Sequence, residues 1–174
     1  MRKINVLINL LVVVQLVVAC DNSPQPETYL IASGFTGRVN VIFNQKGTHT
    51  PKCENGRRIY LIPENGILLT QFAAQYGLVD HQYYYLKKNG GRRRIPILRD
   101  EEFKDGSGKR NGDEIGVFLD GTTGQYGKPP KALWWQEFVV CSYNNMDRFF
   151  TLSYRRRFQD TLRILTGISD LVIP

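Results

Sequence analysis

Two histidines and three cysteines are the side chains of this 174-residue chain best suited to metal or nucleophile chemistry. His49 lies four residues before Cys53, and with His81 these groups offer the nitrogen and sulfur donors that zinc takes. Their spacing matches no compact zinc pattern, so both histidines are read as exposed loop residues. Asp80 and His81 are neighbours and could act as an acid–base pair, but no nucleophile is placed to use them. The segment DGSGKRNGDE (residues 105–114) offers Asp105, Asp113 and Glu114 to a calcium ion. Lys109 and Arg110 in its middle repel a cation, which makes it a plain loop. Ser107 in the same segment follows no strand and is not a nucleophile elbow. G-x-S-x-G, H-E-x-x-H and C-x-x-C are absent from the chain. The residues therefore point to no enzyme, no catalytic set, no metal and no cofactor.

The aromatic residues suggest binding instead. Tyr83, Tyr84, Tyr85, Trp134 and Trp135 lie on strand-like segments, where neighbours point to opposite faces. Some of them should face away from the core and form a binding surface for a sugar, a peptide or a partner protein, unless a helix or second sheet covers that face. Cys53 and Cys141 leave two readings open. A bridge between them would stabilise by about 4 kcal/mol in the chain-entropy model. Unbridged, they would be separate buried thiols behaving as small hydrophobes.

The N-terminus carries the most specific signal. Arg2 and Lys3 precede an apolar run over residues 4–19, interrupted by Asn5, Asn9 and Gln15. The run is shorter than the roughly 20 apolar residues of a membrane span and has the layout of a secretory signal peptide. Val17-Val18-Ala19-Cys20 resembles the lipobox of bacterial lipoproteins. That resemblance implies cleavage between Ala19 and Cys20 and acylation of Cys20, with chains such as palmitate holding the protein to the membrane. Each buried CH₂ contributes about 0.8 kcal/mol, so several chains anchor strongly. The segment DNSPQPET (residues 21–28) is polar, contains two prolines and reads as an extended tether.

Loss of the leader removes Arg2 and Lys3 and lowers the formal charge from +7 to +5. The basic clusters at residues 57–58, 87–88, 92–94, 109–110 and 155–157 read as solvated surface that discourages edge pairing. Their alternative role is contact with anionic lipid or acidic glycan. Nucleic acid is not an expected partner, because the chain is exported and shows no nucleic-acid motif.

Period-two alternation dominates residues 29–143. GRVNVIFN, RRIYLI, ILLTQF, IGVFLD and ALWWQEFVVCSY read as strands. PENG (residues 63–66) reads as a tight turn. QYYYLKKNGGRRRIPIL reads as a hairpin about Asn89-Gly90-Gly91, with Pro96 putting the return strand at a sheet edge. Residues 100–114 and GTTGQYGKPP (121–130) read as loops. From Asp147, Phe150, Tyr154, Phe158, Leu162 and Leu165 recur at helical spacing. This gives an amphipathic helix over about 147–166, ended by Gly167, which should dock on the domain rather than on a membrane. The expected fold is an all-β, antiparallel β-sandwich with a C-terminal amphipathic helix, occupying residues 29–174 as one domain.

GFTGRVNVIFNQKG and NGRRIYLIPENGILLTQF, between Gly34 and Phe72, resemble an uncharacterised domain family of small bacterial lipoproteins and secreted proteins. The resemblance implies location and fold and supplies no activity. The Gly34-x-x-Gly37-Arg38-Val39 start also resembles the prealbumin-like sandwich domains appended to outer-membrane proteins. The expectation is a lipid-anchored protein of the bacterial cell envelope or periplasm, held at the outer membrane in preference to the inner, with the leaflet left open. It would serve as a binding or structural module for an envelope protein or glycan. The alternatives are an envelope hydrolase or metal-dependent enzyme, and an accessory subunit of an envelope complex.

Overall fold

Alternating apolar residues build two facing sheets from nine strands among the described residues. The computed structural model describes residues 24–48, 50–103, 110–129 and 132–168. Ala19, Cys20, His49, Asp105, Ser107 and Lys109 lie outside the described residues. The strands are β1 (Glu27–Ala32), β2 (Gly37–Ile42), β3 (Lys52–Glu54), β4 (Arg57–Leu61), β5 (Ile67–Leu69), β6 (His81–Leu86), β7 (Arg92–Ile95), β8 (Ile115–Tyr126) and β9 (Leu133–Ser142). One sheet runs β3-β4-β1-β6-β7 and the other β5-β2-β9-β8. The core between them contains Tyr29, Ile31, Tyr60, Tyr83 and Tyr85 from the first sheet and Val39, Val41, Phe43, Phe138 and Val140 from the second.

The two-sheet sandwich matches the expected all-β class, but the strand directions are mixed. β1 is parallel to both β4 and β6, and β2 is parallel to β5, while the β6–β7, β2–β9 and β8–β9 pairs are antiparallel. The cause is the path of the chain. β1, β2, β4, β5 and β6 alternate between the sheets, so strands that pair within a sheet come from separate passes in the same direction. The β6–β7 hairpin forms about Asn89-Gly90 as expected, and β7 is an edge strand.

Three element boundaries differ from the sequence reading. Glu27 and Thr28, assigned to the tether, open the central strand β1 and are buried. GTTGQY, assigned to a loop, continues β8: Thr122 to Tyr126 pair with Glu137 to Leu133. The long β9 supplies a pairing edge there, and the Trp135 ring covers the bare backbone of Gly124. The helix is also not continuous. Tyr143–Phe150 forms a 3-10 helix, Thr151 is extended at φ −65° and ψ 151°, and α1 (Leu152–Thr166) starts afresh. The Thr151 hydroxyl accepts from the Tyr154 N–H, the N-cap that restarts the helix. Gly167, at φ 69°, ends it.

The helix docks on the outer face of the second sheet. Phe158 and Leu162 pack on Ile42, Ile67, Tyr126 and Leu133. The 3-10 segment covers Phe118, Val139 and Cys141 through Phe149 and Met146. β2 and β9 are therefore buried on both faces. Beneath the helix, Arg38 is ion-paired with Glu137 at 2.5 Å, and Glu137 also accepts from Asn40. Among the described residues, no helix is long and apolar enough to cross a membrane.

The two cysteines left open by the sequence are both free thiols. Cys53 is exposed on the edge strand β3 of the first sheet. Cys141 is buried on the outer face of the second sheet, where burial pushes its thiol up to about 12. No bridge joins them, because their strands belong to different sheets and Cys141 faces away from the first.

Candidate functional site

The strongest concentration of titratable groups lies between the sheets, at the end of the first sheet where β1 and β6 begin. Register creates it. Glu27 on β1 is opposite His81 on β6, and Tyr29 is opposite both Tyr60 on β4 and Tyr83 on β6. Period two turns all of these side chains to the inner face. The three tyrosine rings form one stack, Tyr60–Tyr29–Tyr83, with centroids 5.0 and 4.9 Å apart. Phe138 of the facing sheet meets the stack edge-on at 5.0 Å from Tyr29.

Glu27 is a buried carboxylate, and its four neighbours explain why it can remain charged. The Tyr29 and Tyr60 hydroxyls donate to it at 2.5 and 2.9 Å, and the Gln75 amide donates at 2.9 Å. His81 Nε2 stands 3.4 Å away. Burial alone would raise the Glu27 carboxyl, but the hydrogen bonds from His81, Tyr29, Gln75 and Tyr60 outweigh it and leave the group below its ordinary value.

Asp120 holds the other side of the imidazole. His81 Nδ1 is 2.7 Å from Asp120 Oδ1, and the Tyr83 hydroxyl donates to the same oxygen at 2.5 Å. A bulge aims Asp120 there. Pairing of β8 with β9 breaks between Phe118 and Thr122, and Leu119 and Gly121 take φ of 59° and 76°. Such a bulge redirects side chains across a sheet. Burial works against the His81 charge, but the hydrogen bonds and charges of Asp120 and Glu27 prevail and raise its pKa to about 9. His81 is therefore an imidazolium at neutral pH. Asp120 is correspondingly held below its ordinary value despite burial. Burial and the nearby carboxylates raise Tyr29 and Tyr83, which remain neutral donors.

The Asp80–His81 pair considered from the sequence does not form. Both ring nitrogens of His81 face carboxylates, and the Gln136 side-chain amide also reaches Nε2 at 3.2 Å. Asp80, its expected partner, points the other way and is bound by Arg57. Asp120, brought in by the β8 bulge, holds the position beside the imidazole that was considered for Asp80. His81 is not an exposed loop residue: its side chain is 8% exposed. It lines one wall of an open groove of about 490 Å³ with Gln82, Tyr83, Arg94, Ile95, Pro96 and Ile97. Among the described residues, no group of three or more His, Cys, Asp or Glu side chains is arranged to hold a metal ion. Arg110 pairs with Glu102 and with Glu114, one of the three acids of the segment read as a plain loop.

The aromatic surface is also redistributed. Tyr83 and Tyr85 are buried, Tyr84 lies on the opposite face, and Trp135 stacks on Tyr126 at 5.1 Å. Of the five expected surface residues, Trp134 is the one exposed large ring, and it contacts the exposed Tyr76 edge-on at 5.9 Å. Sequence reasoning missed Glu27, Asp120, Gln136 and Tyr76. One signal existed for the cluster: Tyr29-Leu30-Ile31 and Tyr60-Leu61-Ile62 share a pattern because they are paired strands.

A model described as "Family of unknown function (DUF6843)" matches residues 23–129, which span β1 to β8 and include Glu27, His81 and Asp120. No curated protein matches the chain. Among solved structures, the "Crystal Structure of Putative Lipoprotein from Bacillus anthracis" is similar with a TM-score of 0.57 and 16% identity, over 83% of this chain and 96% of that one. That likeness establishes a shared fold.

Proposed function

The chain belongs to the family of unknown function DUF6843, and from that premise we propose that it is a lipid-anchored cell-envelope protein acting as a non-catalytic binding or structural module. One observation carries the reading. The central strand β1 begins at Glu27, seven residues after the lipobox cysteine Cys20, so an acylated N-terminus holds the sandwich directly against its membrane. The description of the similar Bacillus anthracis structure as a "Putative Lipoprotein" supports the same placement.

The titratable cluster supports a non-catalytic role. Its carboxylates are spent on His81 and the tyrosines, and its tyrosines are held neutral, so it offers neither a free base nor a nucleophile. Its work is to lock the two sheets together and hold the outer surfaces in place for an envelope protein or glycan.

The test is fractionation of cells producing the wild-type chain or Cys20→Ser. The wild type should stay with membranes through high salt and carbonate and be released by detergent. With a labelled fatty acid in the medium, the wild type should take up label and Cys20→Ser should not. Label on both, label on neither, or a wild type that is soluble throughout would contradict the reading.

A further inference from the structure

Two exposed aromatic rings meet near where the chain enters the domain, and the bare side chain of Leu78 follows two residues after one of them. Tyr76 and Leu78 are 71% and 99% exposed, and Trp134, at the start of β9, is 37% exposed. Tyr76 and Trp134 are in edge-to-face contact. Isolated exposed hydrophobes are ordinary on protein surfaces, but a convergent group marks a contact site.

The position of this group identifies what it contacts. Residues 75–78 are tied to the first described residues of the chain. Gln25 N–H donates to the Gln75 amide oxygen at 2.7 Å, and the Gln75 amide donates back to Gln25 O at 2.9 Å. Pro24 packs at Gly77, with its Cγ 3.9 Å from where a Cβ would stand. Gly77 lies between Tyr76 and Leu78. Only four peptide links join Pro24 to Cys20, and at full extension they reach about 14 Å. The headgroup layer of one leaflet is itself roughly 6 Å deep. An acylated Cys20 thus brings this patch to the bilayer surface, where Tyr and Trp rings are favoured because they are apolar with one polar tip.

We propose that Tyr76, Leu78 and Trp134 form a membrane-contact surface that seats the sandwich on the lipid headgroup boundary and fixes its orientation beside the anchor. The inference rests on the lipid-anchor reading of Cys20. The anchor supplies the affinity, and the patch sets the orientation of the domain on the bilayer. Trp135 takes no part, since it is stacked on Tyr126 at the opposite face of the same strand.

The test uses the full, acylated protein in vesicles of phosphatidylethanolamine and phosphatidylglycerol, with part of the phospholipid brominated along its acyl chains. Bromine quenches tryptophan emission at short range. The wild type should be quenched, and Trp134→Phe should lose the quenching, leaving Trp135 unaffected. Tyr76→Ser with Leu78→Ser should reduce quenching of Trp134 while flotation with the vesicles is unchanged. That second variant replaces exposed residues only and so keeps the fold. If the wild type is acylated and floats but bromolipid leaves its emission unchanged, the contact surface is overturned and the anchor stands. If Cys20 carries no acyl group and the protein does not float, the anchor reading fails and takes this inference with it.

Discussion

His81 has a carboxylate on each side of its ring, and that placement sets the pH response of the fold. Its pKa is raised from an ordinary 6.5 to about 9. The stabilisation it brings is therefore complete below about pH 6.5 and is lost as the pH rises through about 9. Glu27 and Asp120 have the opposite sign. Their depressed values stabilise the fold above their ordinary 4.5 and 3.8, and this contribution is lost as the pH falls. Stability should be greatest near pH 5–6.5 and decline by about 3 kcal/mol towards pH 9.5, as measured by urea unfolding at several pH values. His81→Gln should cost about 3 kcal/mol at pH 6, because two buried carboxylates lose their cation. It should also flatten the decline between pH 6.5 and 9. The cysteines give a second prediction. A thiol reagent should label exposed Cys53 in the native protein and reach Cys141 only on unfolding.

Among the elements, α1 and the bulge in β8 do the positioning. Phe158 and Leu162 are the buried anchors of the helix over the Arg38–Glu137 pair. Phe158→Ala should destabilise by about 3 kcal/mol, read as a lower urea midpoint, with water entering to that ion pair. Gly66→Ala should also be costly. Gly66 has φ 76°, and a Cβ there would strike the Arg38 carbonyl oxygen. Most strands were legible because one face alternates, as in Val39, Val41 and Phe43, and the hairpin was legible from Asn89-Gly90. β1 was not, because Pro24 and Pro26 and the polar residues beside them look like linker, and the burial of Glu27 depends on partners from β4 and β6. Asp120 was hidden for a related reason. A bulge that breaks the period-two pattern leaves no trace in it. The break at Thr151 was masked by Phe150 and Tyr154, whose spacing suits one unbroken helix although different segments carry them.

At the scale of the whole molecule, the sandwich is closed on one side by the helix, and the described chain enters it at one end through β1. The cluster of Glu27, His81, Asp120 and three tyrosines spans both sheets at that end, so it braces the entry of β1, the strand that would carry any pull from a lipidated Cys20 into the domain. A buried polar network that joins both sheets favours the one arrangement of the elements that pairs its carboxylates with their donors. The account depends on what is attached at residue 20. The most direct measurement is mass spectrometry of the N-terminal peptide of the protein recovered from cell membranes. The predicted result is a mature chain beginning at Cys20 with its sulfur carrying a diacylglycerol. A chain that retains residues 1–19, or one that begins elsewhere with an unmodified Cys20, would contradict the account.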